Sequence, residues 1–197
     1  MVLALRAAGH QVVSISALNC AVADVSVVCD TADEAALASA MASLGDLAGL
    51  VCLPGSVAAC VLAAMTWNHW RQIMAQNAGG VMLAMKHASL QLRAGSAIVL
   101  VTTAMTASGE SGSVAHHAAT GAVLGLMRAG SGAFAPRNIR VNAINIRCGT
   151  VFASDGHTQI NKAVPPADIA AAVMVLLSAE ASFVTGSEWV LDGNLSG

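Results

Sequence analysis

The sequence predicts an α/β fold in which a parallel sheet carries helices on both faces. Three observations point to it. Short β-branched runs alternate with Ala-rich helical stretches along the chain. The stretch from Ile98 to Met127 reads as strand, polar loop and apolar helix, the repeating unit of such a sheet. The 197 residues suit one domain spanning 1–197 with a sizeable core, undivided by any internal repeat, linker or low-complexity block.

Residues 2–8 have helical propensity, and Gly9 supplies the stop before a strand over Gln11–Ile15. Asp24–Asp30 reads as a second strand ending in an acidic residue. Thr31–Leu44 follows as a helix opened by Thr31, with Asp33 and Glu34 in its first turn. Leu47–Met65 carries no charge and nearly reaches membrane-spanning length. Pro54-Gly55 divides it into a strand, a turn and an Ala-rich half, so we expect no membrane segment. A helix is expected from Gln72 to His87 after Trp67 and Trp70, and a strand at Ile98–Val101 with a helix from near Val114. Residues 148–163 read as a short polar loop. Pro165-Pro166 then opens a helix over Ile169–Leu177.

Apolar residues make up 56% of the chain and charged residues 10%, so much of the surface is expected to be covered, as in an obligate oligomer. A net charge of −2 without a basic cluster argues against a nucleic-acid partner. The five cysteines (Cys20, Cys29, Cys52, Cys60, Cys148) are odd in number and lack metal-type spacing. They read as buried small hydrophobes in a reducing cytoplasm, with no metal site and no signal peptide.

The functional signal lies after the strand Ile98–Val101. Thr102-Thr103 follow it, His116 comes thirteen positions after Thr103, and Thr120 four after that, one helical turn on. This spacing, with Ala135–Ile144 and Ala181–Gly193, resembles the short-chain dehydrogenase/reductase family and its Rossmann-like sheet. The resemblance implies a Ser, a Tyr and a Lys at the three places that here hold Thr103, His116 and Thr120. Asn77 matches the fourth tetrad member and is the one retained. A phenol with a pKa near 10 works near neutrality only beside an ammonium that stabilises its phenolate. Thr103 keeps a hydroxyl but supplies no proton transfer, and His116 titrates in range but is shorter than tyrosine.

Other family features are altered as well. The Asn-Asn-Ala-Gly motif is replaced around Cys52-Leu53-Pro54-Gly55, and the Pro-Gly after the sixth strand by Ile146-Arg147. Arg147 reads as a strand-end residue rather than an anion ligand. The first strand and Gly-rich turn that hold the pyrophosphate are expected to be missing, since no glycine precedes Gly9. The sheet would then either close up or take the Gln11 strand into the vacant central slot. Asp30 matches the family's adenine-contacting Asp, but an Asp between strand and helix is more often a turn former.

The resemblance therefore implies no catalytic residue, no cofactor, and a noncatalytic subunit. Its partner would be a homologous active NAD-dependent short-chain dehydrogenase in a hetero-oligomer, expected to be a heterotetramer, as occurs among hydroxyacyl-CoA dehydrogenases. Two alternatives remain open: a divergent enzyme using Thr103 and His116, and a ligand-binding or sensor domain in the vacated cofactor cleft.

Overall fold

The computed structural model describes residues 1–53, 55, 60–105, 114–152, 159–162 and 164–192, without the side chains of 104–105, 147–152 and 159–162. Helix α1 (Val2–Ala7) ends where expected, at Gly9, whose φ of 85° is a conformation that only glycine adopts without cost. Strands β1 (Val13–Ser16) and β2 (Val25–Val28) follow and pair in parallel. Helix α2 (Glu34–Ala42) is opened by Asp33 rather than Thr31: the Asp33 carboxylate accepts from the Ala35 and Ala36 N–H groups, capping donors that have no intrahelical partner.

Strand β3 (Leu47–Cys52) leads to helix α3 (Trp67–Met74), a π turn (Ala75–Gly79) and helix α4 (Gly80–Ala88). The helical run thus begins five residues before the expected Gln72. The Thr66 hydroxyl caps it by accepting from the His69 N–H. Strand β4 (Leu92–Met105) and strand β5 (Arg140–Phe152) are the long central pair, joined by helix α5 (Val114–Phe134). Residues 148–163 are not simply a loop. β5 runs on to Phe152 and pairs antiparallel with β6 (Gln159–Lys162). Helix α6 (Pro166–Leu177) and β7 (Glu188–Leu191) complete the order.

The main sheet runs β3-β4-β5, with β7 parallel beside β5, and β6 joined to the far end of β5. Successive β4 residues point to opposite faces. Ile98 and Leu100 join Val81, Met85, Val123, Met127 and Val141 under α4 and α5. Val99 and Val101 join Ile144, Val173 and Leu176 under α6. Two buried layers account for a sheet covered on both faces.

Neither expected outcome for the sheet occurred. It does not close up, and β1 does not take a central slot against β3. Among the described residues β1 pairs with β2 alone, as a separate two-stranded sheet. α1 packs on α6 and α2 on α4, so helices hold this pair to the molecule. The half-buried Ile15 and Cys29 lie against the core under α2 and α4, and Met1 packs with Val51 on the α6 side.

Candidate functional site

The four tetrad positions converge. Thr103 sits near the end of β4, where its register partner is Ile146 of β5. His116 and Thr120 lie on the inward face of the first turns of α5, and Asn77 sits in the π turn packed against that helix. Together with Val81, Val101, Thr102, Ala119 and Val123 they line one small cleft. The spacing read from sequence therefore brings all four residues to one place.

Within the cleft the polar groups are spent on one another. His116 Nε2 lies 2.8 Å from the Thr103 carbonyl and 2.9 Å from the Thr103 hydroxyl. A carbonyl can only accept, so Nε2 carries the hydrogen and Nδ1 holds the bare lone pair. Among the described residues that lone pair has no partner, and the whole side chain is only 2% exposed. The Thr120 hydroxyl also donates to the Thr103 carbonyl, at 3.3 Å. The result is a closed knot. His116 Nδ1 is sealed from solvent, and among the described residues no Lys or Arg side chain lines the cleft.

Asn77 is an anchor. Its amide donates to the Ile73 carbonyl at 2.9 Å, and its Oδ1 accepts from the Gly55 N–H at 3.1 Å. The first bond serves a helix whose normal ladder is broken by the π turn. The second ties the loop after β3 to that turn. A Cβ on Gly55 would lie 3.1 Å from Asn77 Oδ1, a tight approach that would press on this bond. The Gly55 partnership was not readable from sequence, because 22 residues separate the two groups.

Asp30 is a turn former: its Oδ1 accepts from the Ala32 N–H at 2.9 Å. Cys52 stands in place of a motif Asn, and burial pushes its thiol up to about 12. Cys20, Cys29 and Cys60 are only half-buried, so the expectation of buried cysteines holds for Cys52 alone among those four. The Cys148 and Arg147 side chains lie outside the described residues. Arg140, to which the sequence reading assigns no role, is buried and donates to the Leu176, Leu177 and Ser178 carbonyls at 2.7, 3.4 and 3.0 Å. It caps the end of α6, and desolvation lowers its pKa from the usual guanidinium value.

Nicotinamide chemistry on this fold needs a hydroxyl, an acid and a cation facing the ring and ribose. Thr103, His116 and Thr120 supply no cation and turn their hydrogen-bonding groups inward, so this set does not fit the cofactor. Among the described residues no group of three or more His, Cys, Asp or Glu side chains could hold a metal ion, and no helix is long and apolar enough to cross a membrane.

Comparison with known proteins agrees with this architecture. Residues 2–196 match the family model described as enoyl-(acyl carrier protein) reductase. The chain is 34% identical to an inactive 2-(S)-hydroxypropyl-CoM dehydrogenase 2 of Xanthobacter autotrophicus, over 85% of this chain and 83% of that protein. It is 31% identical to 2-(S)-hydroxypropyl-CoM dehydrogenase 3 of the same organism, over 88% and 75%. A short-chain oxidoreductase of Pseudomonas aeruginosa containing an atypical catalytic centre superposes with a TM-score of 0.84 at 24% identity, over 99% of this chain and 91% of that one. With the family model matched almost from end to end and the tetrad positions gathered in one cleft, the chain belongs to the short-chain dehydrogenase/reductase family.

Proposed function

We propose that the protein is a noncatalytic subunit that scaffolds an active NAD-dependent short-chain dehydrogenase in a hetero-oligomer. The observation that carries this reading is the Thr103–His116–Thr120 knot, which occupies the catalytic positions with groups bonded to each other. An acid/base must meet its substrate proton within hydrogen-bond reach. The ring nitrogen without a partner among the described residues, His116 Nδ1, is buried. A relative whose name declares it inactive supports the same reading.

The exposed face of α5 supplies a contact surface. His117, Gly121, Gly125 and Ala129 recur at helical spacing on it, and beside Gly121 and Gly125 there is open space where a partner helix could approach closely. We assign the partner's substrate to the hydroxyacyl-CoA class or a similar alcohol or ketone. 2-[Hydroxy(phenyl)methyl]succinyl-CoA dehydrogenase is the specific complex we would examine first.

The test is affinity purification from the native source followed by calorimetry. A dehydrogenase of similar size should co-purify at fixed stoichiometry, and the isolated subunit should show no saturable binding of NAD(H) or NADP(H). Stoichiometric cofactor binding by the isolated subunit would falsify the pseudoenzyme reading.

A second reading is favoured by one contact. The Thr103 hydroxyl and His116 Nε2 are 2.9 Å apart, a nucleophile-to-imidazole distance. A divergent enzyme built on that pair needs Nε2 as an acceptor, which the Thr103 carbonyl opposes. Turnover of an ester or thioester that disappears in Thr103→Val would favour it over the scaffold.

A further inference from the structure

The helical run through α3, the π turn and α4, together with α5, carries cations and no acid. Residues 67–88 and 114–134 include Arg71, Lys86 and Arg128 but not one Asp or Glu. Two of these cations are answered from elsewhere in the chain: Lys86 by Glu34, at 2.5 Å, and Arg128 by Glu188, at 3.8 Å. Arg71 is exposed, and among the described residues it enters no ion pair. Its guanidinium donates to the Asn68 Oδ1 at 3.2 Å. A guanidinium has five N–H donors, so most of its capacity is unspent.

The surroundings of Arg71 suit a helix. Asn68, Arg71, Gln72 and Ala75 lie three and four residues apart, hence on one face of α3, and line an open recess of about 350 Å³. α3 packs beside α5. The exposed Gly121 and Gly125 of α5 have open space where side chains would stand, so a helix laid along them approaches closely. Trp67, at the start of α3, is 72% exposed. A small anion in the recess would leave that indole and the glycine face in water, whereas a helix covers them together. Arginine matches a carboxylate with two parallel bonds, and the pair strengthens once water is excluded.

We propose that this face selects a helix of the dehydrogenase subunit that sets an Asp or Glu against Arg71, and that it rejects a second copy of this chain. The identity of the partner rests on the scaffold reading above; the charge rule rests on Arg71 and its recess. Contact between two copies through the same face presents that face to itself. Its helices supply no carboxylate, so Arg71 would lose water without gaining a counter-charge. A partner that brings the acid removes this cost, and one contact both attracts the right subunit and excludes the wrong one.

The experiment uses the full chain in its co-purified complex. Arg71→Lys keeps the charge and adds an amine that a carbodiimide joins, as an amide, to a carboxylate in direct contact. Digestion and mass spectrometry should then find position 71 joined to an Asp or Glu in a helix of the dehydrogenase. Mixtures of ordinary and isotope-labelled chain without the dehydrogenase should give no adduct between copies at that position. Arg71→Glu should raise the dissociation constant of the complex roughly a hundredfold, and Arg71→Gln should raise it less. Both should keep the melting midpoint of the isolated chain within about 2 °C of the parent, since the side chain is exposed. Glu110 precedes α5 in sequence, outside the described residues, and serves as the control: Glu110→Gln should leave the constant unchanged. An adduct between two copies, a constant indifferent to Arg71→Glu, or a loss in Glu110→Gln as large as in Arg71→Glu overturns the proposal. Dehydrogenase present without an adduct at position 71 also overturns it while the scaffold reading stands, and absence of any dehydrogenase removes both.

Discussion

Replacing Asn77 by leucine separates an anchoring role from a catalytic one. The side chain is 6% exposed and makes two bonds, to the Ile73 carbonyl and from the Gly55 N–H. Leucine keeps the branched outline but is larger, and it neither donates nor accepts, so both main-chain partners are stranded. Each stranded buried group costs about 1–3 kcal/mol, and partial access of water at the Gly55 loop brings the sum to about 2–4 kcal/mol. At about 2.1 cal/mol/K per residue, the 197 residues give an unfolding entropy near 0.4 kcal/mol/K. The melting midpoint should therefore fall by about 5–10 °C in a calorimetric scan. Asn77→Asp keeps the acceptor for Gly55 but turns a carboxylate oxygen toward the Ile73 carbonyl, so it should be destabilised as well. Dehydrogenase turnover by the assembled complex should be unchanged at a temperature where both variants are folded. A midpoint lowered by less than about 2 °C would refute the anchoring argument.

Three further outcomes follow from the same site and its surroundings. His116→Tyr with Thr120→Lys should restore no dehydrogenase activity in a nicotinamide absorbance assay, because the new ammonium enters a buried knot rather than an ordered cofactor site. Gly125→Glu, on the exposed face of α5, should leave the melting midpoint of the isolated chain within about 2 °C of the parent but release the partner in size-exclusion chromatography. Leu126→Arg is a less clean probe, since Leu126 also packs against the chain's own core. The Cys52 thiol is neutral when protonated, and its folded value of about 12 stands above its ordinary 9.0. The folded state thus holds the proton more tightly, and its advantage is full below pH 9 and lost as pH rises from 9 toward 12, by up to about 4 kcal/mol. Denaturant titrations in that window should show a steeper pH dependence for the parent than for Cys52→Ala.

The sequence made the site legible because its signal is local. Thr103, His116 and Thr120 lie within one strand-loop-helix unit, where spacing alone sets their faces. Helix stops carried by Gly9 and Pro165-Pro166 were legible for the same reason. Features built from distant partners were not. Nothing in the sequence pairs Asn77 with Gly55, or directs Arg140 to carbonyls 36 to 38 positions on. The start of α2 was misread because both Thr31 and Asp33 are good caps, and only the backbone decides which carboxylate or hydroxyl reaches the free N–H groups. The extension of β5 into a pair with β6 was missed because Gly149 to Phe152 and the polar Gln159–Lys162 carry little strand signal by themselves.

The division of the strands into two sheets also bears on how the molecule comes apart. Cooperative unfolding depends on the contacts that make separate parts lose structure together. Among the described residues no ladder hydrogen bonds cross from β2-β1 to β3-β4-β5, and the link is made by α1 on α6 and α2 on α4, assisted by the Lys86–Glu34 ion pair. Exposed ion pairs add little. Residues 1–42, from α1 through α2, therefore form a unit able to open while the β4-β5 core with α5 and α6 stays closed. Heating should produce a van 't Hoff enthalpy smaller than the calorimetric one. Limited proteolysis should cut first in the stretch around Leu18 to Ala23, between β1 and β2, and leave the remainder of the chain as a persistent fragment.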